Sequence, residues 1–292
     1  MQNIGGQAVI EGVMMKGKKG WTVAVRSPNG EIHVKKENLS ETPFLFRLPI
    51  IRGFIALFQA LLIGIKAIEY SANKAFDEKE DEKLSPASIS ITIIVSILLG
   101  IGLFILLPLY MTKILGIFFH SISKNSLMFN LVDGIIRVVF FILYIVGVGM
   151  WKEMRRIFEY HGAEHKVIHA YENGRDLSIK NIMNFSPLHP RCGTSFLLIV
   201  MVISIFTFSF IPQEWLFIYK FLSRIILIPL IAGISYEILK LSAKMKNNVI
   251  MHLFIQPGLL LQRLTTREPD ESQIEVALKA LQEVLILEEK NA

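Results

Sequence analysis

Three histidines recur every four residues in the stretch YHGAEHKVIHAYE, at His161, His165 and His169. On a helix this spacing makes a stripe along one face that drifts by about 40° per step. Neighbouring members of the stripe can share one metal ion. All three cannot, because His161 and His169 would stand about 12 Å apart along the axis of a straight helix. Inside the stripe, His161-Gly162-Ala163-Glu164-His165 has the H-x-x-E-H pattern of the inverzincins, in which two histidines hold zinc and the glutamate is the general base. Neutral imidazoles bind a divalent ion and leave a position for water, the ion lowers the water's pKa to about 7, and the neighbouring carboxylate accepts the proton. The motif is short, and the rest of the chain does not resemble the large soluble proteases that carry it.

A second cluster, HPRCGTS, runs from His189 to Ser195. His189 and Cys192 are potential ligands three residues apart, with Pro190 and Gly193 supporting a turn. His161, His165, His189 and Cys192 could converge on one divalent ion, with zinc the expected metal. Four protein ligands would make a structural site, and three plus water a catalytic one. Cys192 with His189 or His165 also has the makings of a nucleophilic pair, although that chemistry needs an oxyanion site that spacing alone does not supply. The plainer roles are a small apolar residue at a helix start for Cys192, and snorkelling or anionic headgroup contact for Lys166, Arg175 and Arg191. With Cys192 as the sole cysteine, an intrachain disulfide is excluded.

The elements that must position these residues are largely apolar. The 292 residues are 52% hydrophobic and 19% charged, and the excess is gathered in long runs. This pattern predicts a mainly α-helical polytopic membrane protein with four transmembrane helices, at 89–111, 134–150, 194–211 and 221–239. Twelve Lys/Arg precede the first of these, seven lie between Lys152 and Arg191, and seven follow from Lys240, whereas the remaining loops hold Lys113, Lys124 and Lys220. That asymmetry places both termini and the histidine-rich segment, 151–193, in the cytosol beside the inner membrane. It also accounts for the net charge of +6 without a nucleic-acid partner. The apolar stretch Gly53 to Ile65 is short and bounded by Arg52 and Lys66, so 49–72 reads as an interfacial or re-entrant helix. Asp133 and Arg137, with Arg224, read as a salt-bridged set that ties the second and fourth helices together. Mid-membrane polarity is otherwise low, which weighs against a metal-ion transporter.

The parts outside the apolar runs read as a small α+β unit. Region 1–48 is β-rich: WTVAVRSPNGEIHV alternates about Pro28, Asn29 and Gly30 and predicts a β-hairpin, and GGQAVIEGVMMKG predicts a short apolar strand between glycines. Residues 73–88 contain DEKEDEK, a solvated linker. In 240–292, Asp270 caps a helix with Gln273 three residues on, and Ile274, Ala277, Leu278, Leu281 and Leu285 share one face. That face must dock on the cytosolic unit or on a cytosolic protein partner.

GGQAVIEGVMM, YHGAEHKVIHAYE, HPRCGTSF and QRLTTREPDESQIEVALKAL together resemble the bacterial membrane family catalogued as domain of unknown function 1385, over essentially the whole chain. Members of that family are labelled predicted metal-dependent enzymes, so the resemblance implies a metal but no particular substrate or reaction. Carried over, it points to Glu11, His161, Glu164, His165, His169, His189, Arg191 and Cys192. The expectation is a metal-dependent membrane enzyme, with metal on His161, His165 and His189 or Cys192, Glu164 as general base, and Glu11, His169 and Arg191 in supporting or substrate roles. A hydrolase acting at the cytosolic membrane face on a lipid-linked or membrane-peptide substrate would suit that position. The alternative is a non-enzymatic scaffold with a structural metal that recruits a partner through its C-terminal helix.

Overall fold

A computed structural model describes the chain except for residues 1–3, 41–42, 77–85, 191, 213, 245–248 and 291–292. Strands β1 (Gly5–Val9), β2 (Gly12–Lys16), β3 (Gly20–Arg26) and β4 (Ile32–Asn38) form one antiparallel meander in that order. The hairpin expected about Gly30 joins β3 to β4. Gly30 has φ +90°, a conformation open to a residue without Cβ. The segment read as one strand between glycines is instead two, β1 and β2, because Ile10 and Glu11 form a two-residue turn closed by the Val9–Gly12 pair. Strict alternation is missing from this segment because the sheet is covered on both faces. Val13, Met15 and Ala24 point into one core, and Val9, Met14, Trp21, Val23 and Val25 into another.

After a short 3₁₀ turn at Phe44–Arg47 come α1 (Ile51–Ala75), α2 (Pro86–Ile101), α3 (Leu107–Phe118), α4 (His120–Lys124) and α5 (Ser126–Gly149). Then follow α6 (Lys152–Glu172), α7 (Ile179–Met183), α8 (Gly193–Phe208), α9 (Phe217–Lys244), α10 (Val249–Thr265) and α11 (Glu271–Lys290). A π-helical turn, Gly102–Leu106, joins α2 to α3 just ahead of Pro108, where the proline ring would otherwise press on the carbonyl one turn back. Among the described residues, four stretches are long and apolar enough to cross a membrane: Ile51–Ala75, Ser90–Phe118, Ser126–Gly149 and Phe217–Leu241.

The apolar helices differ in two ways from the four spans expected. Helix α1, expected over 49–72 as an interfacial or re-entrant element, is a continuous 25-residue helix that is itself long and apolar enough to cross a membrane, and the half of it carrying Ile63, Ala67 and Ala75 lies against the sheet beside Trp21 and Val23. Helix α8 has 16 residues, about 24 Å at 1.5 Å per residue, which is less than a bilayer's hydrocarbon thickness. The expected charged linker at 73–88 begins with the end of α1 and ends with the start of α2, and its acidic run lies outside the described residues.

One polar knot joins the apolar helices. Both Asp133 carboxylate oxygens are taken, Oδ2 by Arg137 and Oδ1 by Arg224, each at 2.7 Å. Arg224 also donates to Asn130 at 3.1 Å, Arg137 donates to Ser204 at 3.0 Å, and both guanidinium groups lie over the Phe208 ring. Asp133 and Arg224 are each only 1% exposed, so the set links α5, α8 and α9 from within. Replacing Asp133 with leucine leaves two buried cations without their shared anion. The expected loss is about 3–5 kcal/mol, read as a lowered unfolding midpoint in detergent. An unchanged midpoint would show that the knot does not hold the helices together.

Candidate functional site

Helix α6 carries the histidine stripe and is buried over most of its circumference from Tyr160 to Ala170. It stops at a Schellman turn: Gly174, at φ +62°, donates to the Tyr171 carbonyl, and Arg175 donates to that of Ala170. The sheet and α11 cover one side of it, and the segments that follow α7 and α10 cover the other. Close approach explains Gly162 in the H-x-x-E-H motif, because a Cβ there would collide with the Arg267 carbonyl. Helix α11 is held by the expected reciprocal cap, in which Asp270 accepts from the Gln273 amide and Gln273 from the Asp270 amide, both at 2.9 Å. Its apolar face is turned inward, with Ile274, Ala277 and Leu281 fully buried in the same core as Val13 and Val167.

Of the four expected ligands, three come together. One ligand atom each from His161, His165 and Cys192 lies within 4.8 Å of the others. Both imidazoles are oriented by backbone carbonyls: His161 Nδ1 donates to Thr265 at 2.8 Å, and His165 Nδ1 donates to Pro187 at 2.5 Å. Protonation at Nδ1 leaves each Nε2 with its lone pair free, the usual second-shell arrangement for metal-binding histidine. His161 Nε2 lies 3.2 Å from Cys192 Sγ, and His165 Nε2 is buried without a hydrogen-bond partner among the described residues. Cys192 caps the N-terminus of α8, where its sulfur accepts from the Thr194 amide at 3.4 Å.

Glu164 stands beside this trio rather than within it. Its Oε2 is 4.0 Å from Nε2 of both His161 and His165, and the carboxylate also accepts a hydrogen bond from the Gly6 amide. Burial pushes the Glu164 carboxyl above its usual range and holds the His165 imidazolium below its own. A Cβ on Gly6 would come within 2.7 Å of the Glu164 side chain, so strand β1 passes directly over the carboxylate.

The other expected residues lie around this centre. His189 lines the same cavity, with its Nε2 3.5 Å from Glu172 and its ring tilted by 43° against that of His169, the centroids 4.5 Å apart. His169 Nδ1 contacts the Ser186 carbonyl at 3.1 Å. Glu11 sits at the β1–β2 turn, where it pairs with Arg156 and accepts from Tyr160, thereby clamping the sheet to α6 one turn before His161. Arg191 lies outside the described residues.

Sequence reading missed Gln262. Fully buried, it accepts from the His189 amide and donates to the His189 carbonyl, both at 2.8 Å, and also reaches Ser195. It thereby fixes the turn that delivers Cys192. The uncharged polar position within GLLLQRL was the available signal.

Together these groups line a cavity of about 380 Å³ with three kinds of wall. His161, Glu164, His165, His189 and Cys192 form the polar wall, the backbone of Gly5 to Ala8 forms the second, and Ile157, Phe158 and Leu197 form the apolar one. The close packing at Gly162 can be tested directly: Gly162→Ala should lower stability by about 1–3 kcal/mol through overpacking. Gly193→Ala, with nothing within 4 Å of its new Cβ, should not. Thermal unfolding of the two variants in detergent distinguishes them, and equal midpoints would remove the packing account of the motif's glycine.

The sequence model of a family described as "Protein of unknown function (DUF1385)" matches residues 48–287. An uncharacterized protein of Bacillus subtilis (strain 168), YqhQ, is 33% identical over 299 residues, spanning 97% of this chain and 92% of that protein. No solved structure matches. With most of its length matched by that model and a relative aligned end to end, the chain is a member of the DUF1385 family.

Proposed function

We propose that this protein is a metal-dependent hydrolase of the inner membrane, working at the cytosolic face. The observation that carries the reading is the convergence of His161, His165 and Cys192, with Glu164 4.0 Å from both Nε2 atoms. Two imidazoles and a thiolate are a borderline-to-soft donor set that suits zinc. The 3.2 Å between His161 Nε2 and Cys192 Sγ is close to the roughly 3.5 Å that separates two ligands on a tetrahedral zinc.

His161, His165 and Cys192 would hold the ion. When bound, it supplies an acidified water at neutral pH. The chain's own groups do the remainder. Glu164 takes a proton from water at Oε2 and returns it to the leaving group. Thr265 and Pro187 keep the imidazoles in the tautomer that leaves Nε2 unprotonated, and Gln262 holds the His189–Cys192 turn in place. Ile157, Phe158 and Leu197 keep one side of the cavity dry.

The concentration of Lys and Arg before Ile89, in 152–191 and after Lys240 supports placing the sheet, the site and both termini in the cytosol. With half its length covered by the sheet, α1 then lies along the interface rather than across the bilayer. The burial of α11's apolar face in the site's own core favours the enzyme over a scaffold that recruits through that face.

Elemental analysis of the detergent-purified protein should find about one divalent ion per chain. In His161→Ala/His165→Ala it should fall at least about tenfold, whereas His189→Ala should keep the ion. Glu164→Gln should keep the ion and lose cellular function. Negligible metal in both wild type and the double variant would overturn the reading.

A further inference from the structure

Among the described residues, strand β1 has β2 on one side and no strand on the other. The register shows what its outer edge presents. A two-residue turn closed by Val9 and Gly12 makes that pair, and alternate pairs from it, the hydrogen-bonded ones. Gly6 and Ala8 therefore turn their amide and carbonyl groups away from β2. The Gly6 amide meets Glu164. Among the described residues, the Gly6 carbonyl and both backbone groups of Ala8 meet no hydrogen-bond partner on that edge.

Natural sheets usually shield such an edge with charge, proline or a covering element. This one carries Gly5 and Gly6, both exposed, so the cavity wall there is bare backbone. Packing accounts for Gly6, which must clear Glu164. It does not account for Gly5, which has ordinary φ and nothing within 4 Å of a built Cβ. A glycine at such a place in a strand fits close approach by another backbone.

We propose that the cavity takes an extended peptide, added antiparallel or parallel to the free edge of β1, with the scissile carbonyl presented to the cluster of His161, His165, Cys192 and Glu164. Neighbouring strands lie about 4.8 Å apart, so a strand beside Gly6 and Ala8 passes next to the carboxylate that Gly6 already touches. Main-chain hydrogen bonds give such a complex its affinity, and side-chain pockets give it selectivity. Ile157, Phe158 and Leu197 would receive apolar side chains, as a segment leaving a membrane would offer.

The reaction is addition of water across the C–N bond. The water oxygen ends on the acyl carbon, Glu164 carries one water proton to the departing nitrogen as the C–N bond breaks, and the second water proton passes from the new carboxylic acid to the amine, so the products are a carboxylate and an ammonium, with no oxidant or reductant. This inference deepens the hydrolase reading and rests on it.

The test uses the zinc-loaded full chain in lipid nanodiscs and a degenerate library of unmodified 12-residue peptides rich in apolar residues, analysed by mass spectrometry. Wild type should cleave a subset of the library, and Glu164→Gln should not. A cleaved peptide is then remade with N-methyl groups on alternate amides. Methylation in the register that faces β1 should slow cleavage at least about fivefold, and methylation in the other register should not. Ala8→Pro, which removes an outward amide, should slow cleavage to a similar degree with metal content unchanged.

Equal cleavage of both methylated registers would overturn recognition by the β1 edge. If peptides are untouched while a short-chain acyl ester in the same nanodiscs is hydrolysed in a Glu164-dependent way, the peptide proposal fails and the hydrolase stands. If neither is hydrolysed by protein with full metal occupancy, both fail.

Discussion

Everything around the site follows from burying a polar helix. Helix α6 places Glu164, His165 and Lys166 in succession in the interior, and a buried polar group without a partner is costly. The partners cannot come from α6 itself, whose backbone groups are already paired. They come from carbonyls on the segments that wrap it: Pro187 for His165, Met183 for Lys166 and Thr265 for its neighbour His161. Satisfying α6 therefore fixes the paths of the chain after α7 and after α10. The first of these paths ends at Cys192.

That requirement links the sheet-bearing unit to the apolar helices. Gln262 on α10 grips both backbone groups of His189, and Gly258 on the same helix lets Ser195 of α8 come close. Helix α8 then runs to the ion knot through Ser204, where Asp133 is shared between Arg137 and Arg224. Site and bundle are thus joined by buried hydrogen bonds as well as by apolar contact. The cavity at this junction has polar groups on one wall and apolar side chains on another.

Several features could be read directly from residue order. The long apolar runs, the turn at Gly30 and the reciprocal cap of Asp270 and Gln273 are local, because each depends on propensity or on residues within one turn. The four-residue histidine spacing is likewise a property of one helix, and it marks the face that carries the site. Element ends were less legible. The run after Gly193 is apolar through Ile211, yet α8 stops at Phe208, and the alternation that would have separated β1 from β2 is erased where both sheet faces are buried.

Residue order alone thus determined the class of the chain, its helical histidine stripe and the type of chemistry its donors can support. Only the tertiary structure decided which donors meet. His189 and Cys192 are three residues apart and looked equivalent, but the turn held by Gln262 sends Cys192 to His161 and His165 and sets His189 against Glu172. Glu11, expected in a supporting or substrate role, is held by Arg156 and Tyr160 at the β1–β2 turn. The bare edge of β1 over Glu164 had no signal beyond two glycines. The reason is physical: ligand convergence and strand edges are set by contacts between residues far apart in the chain, such as Gly6 and Glu164, and no local spacing encodes them.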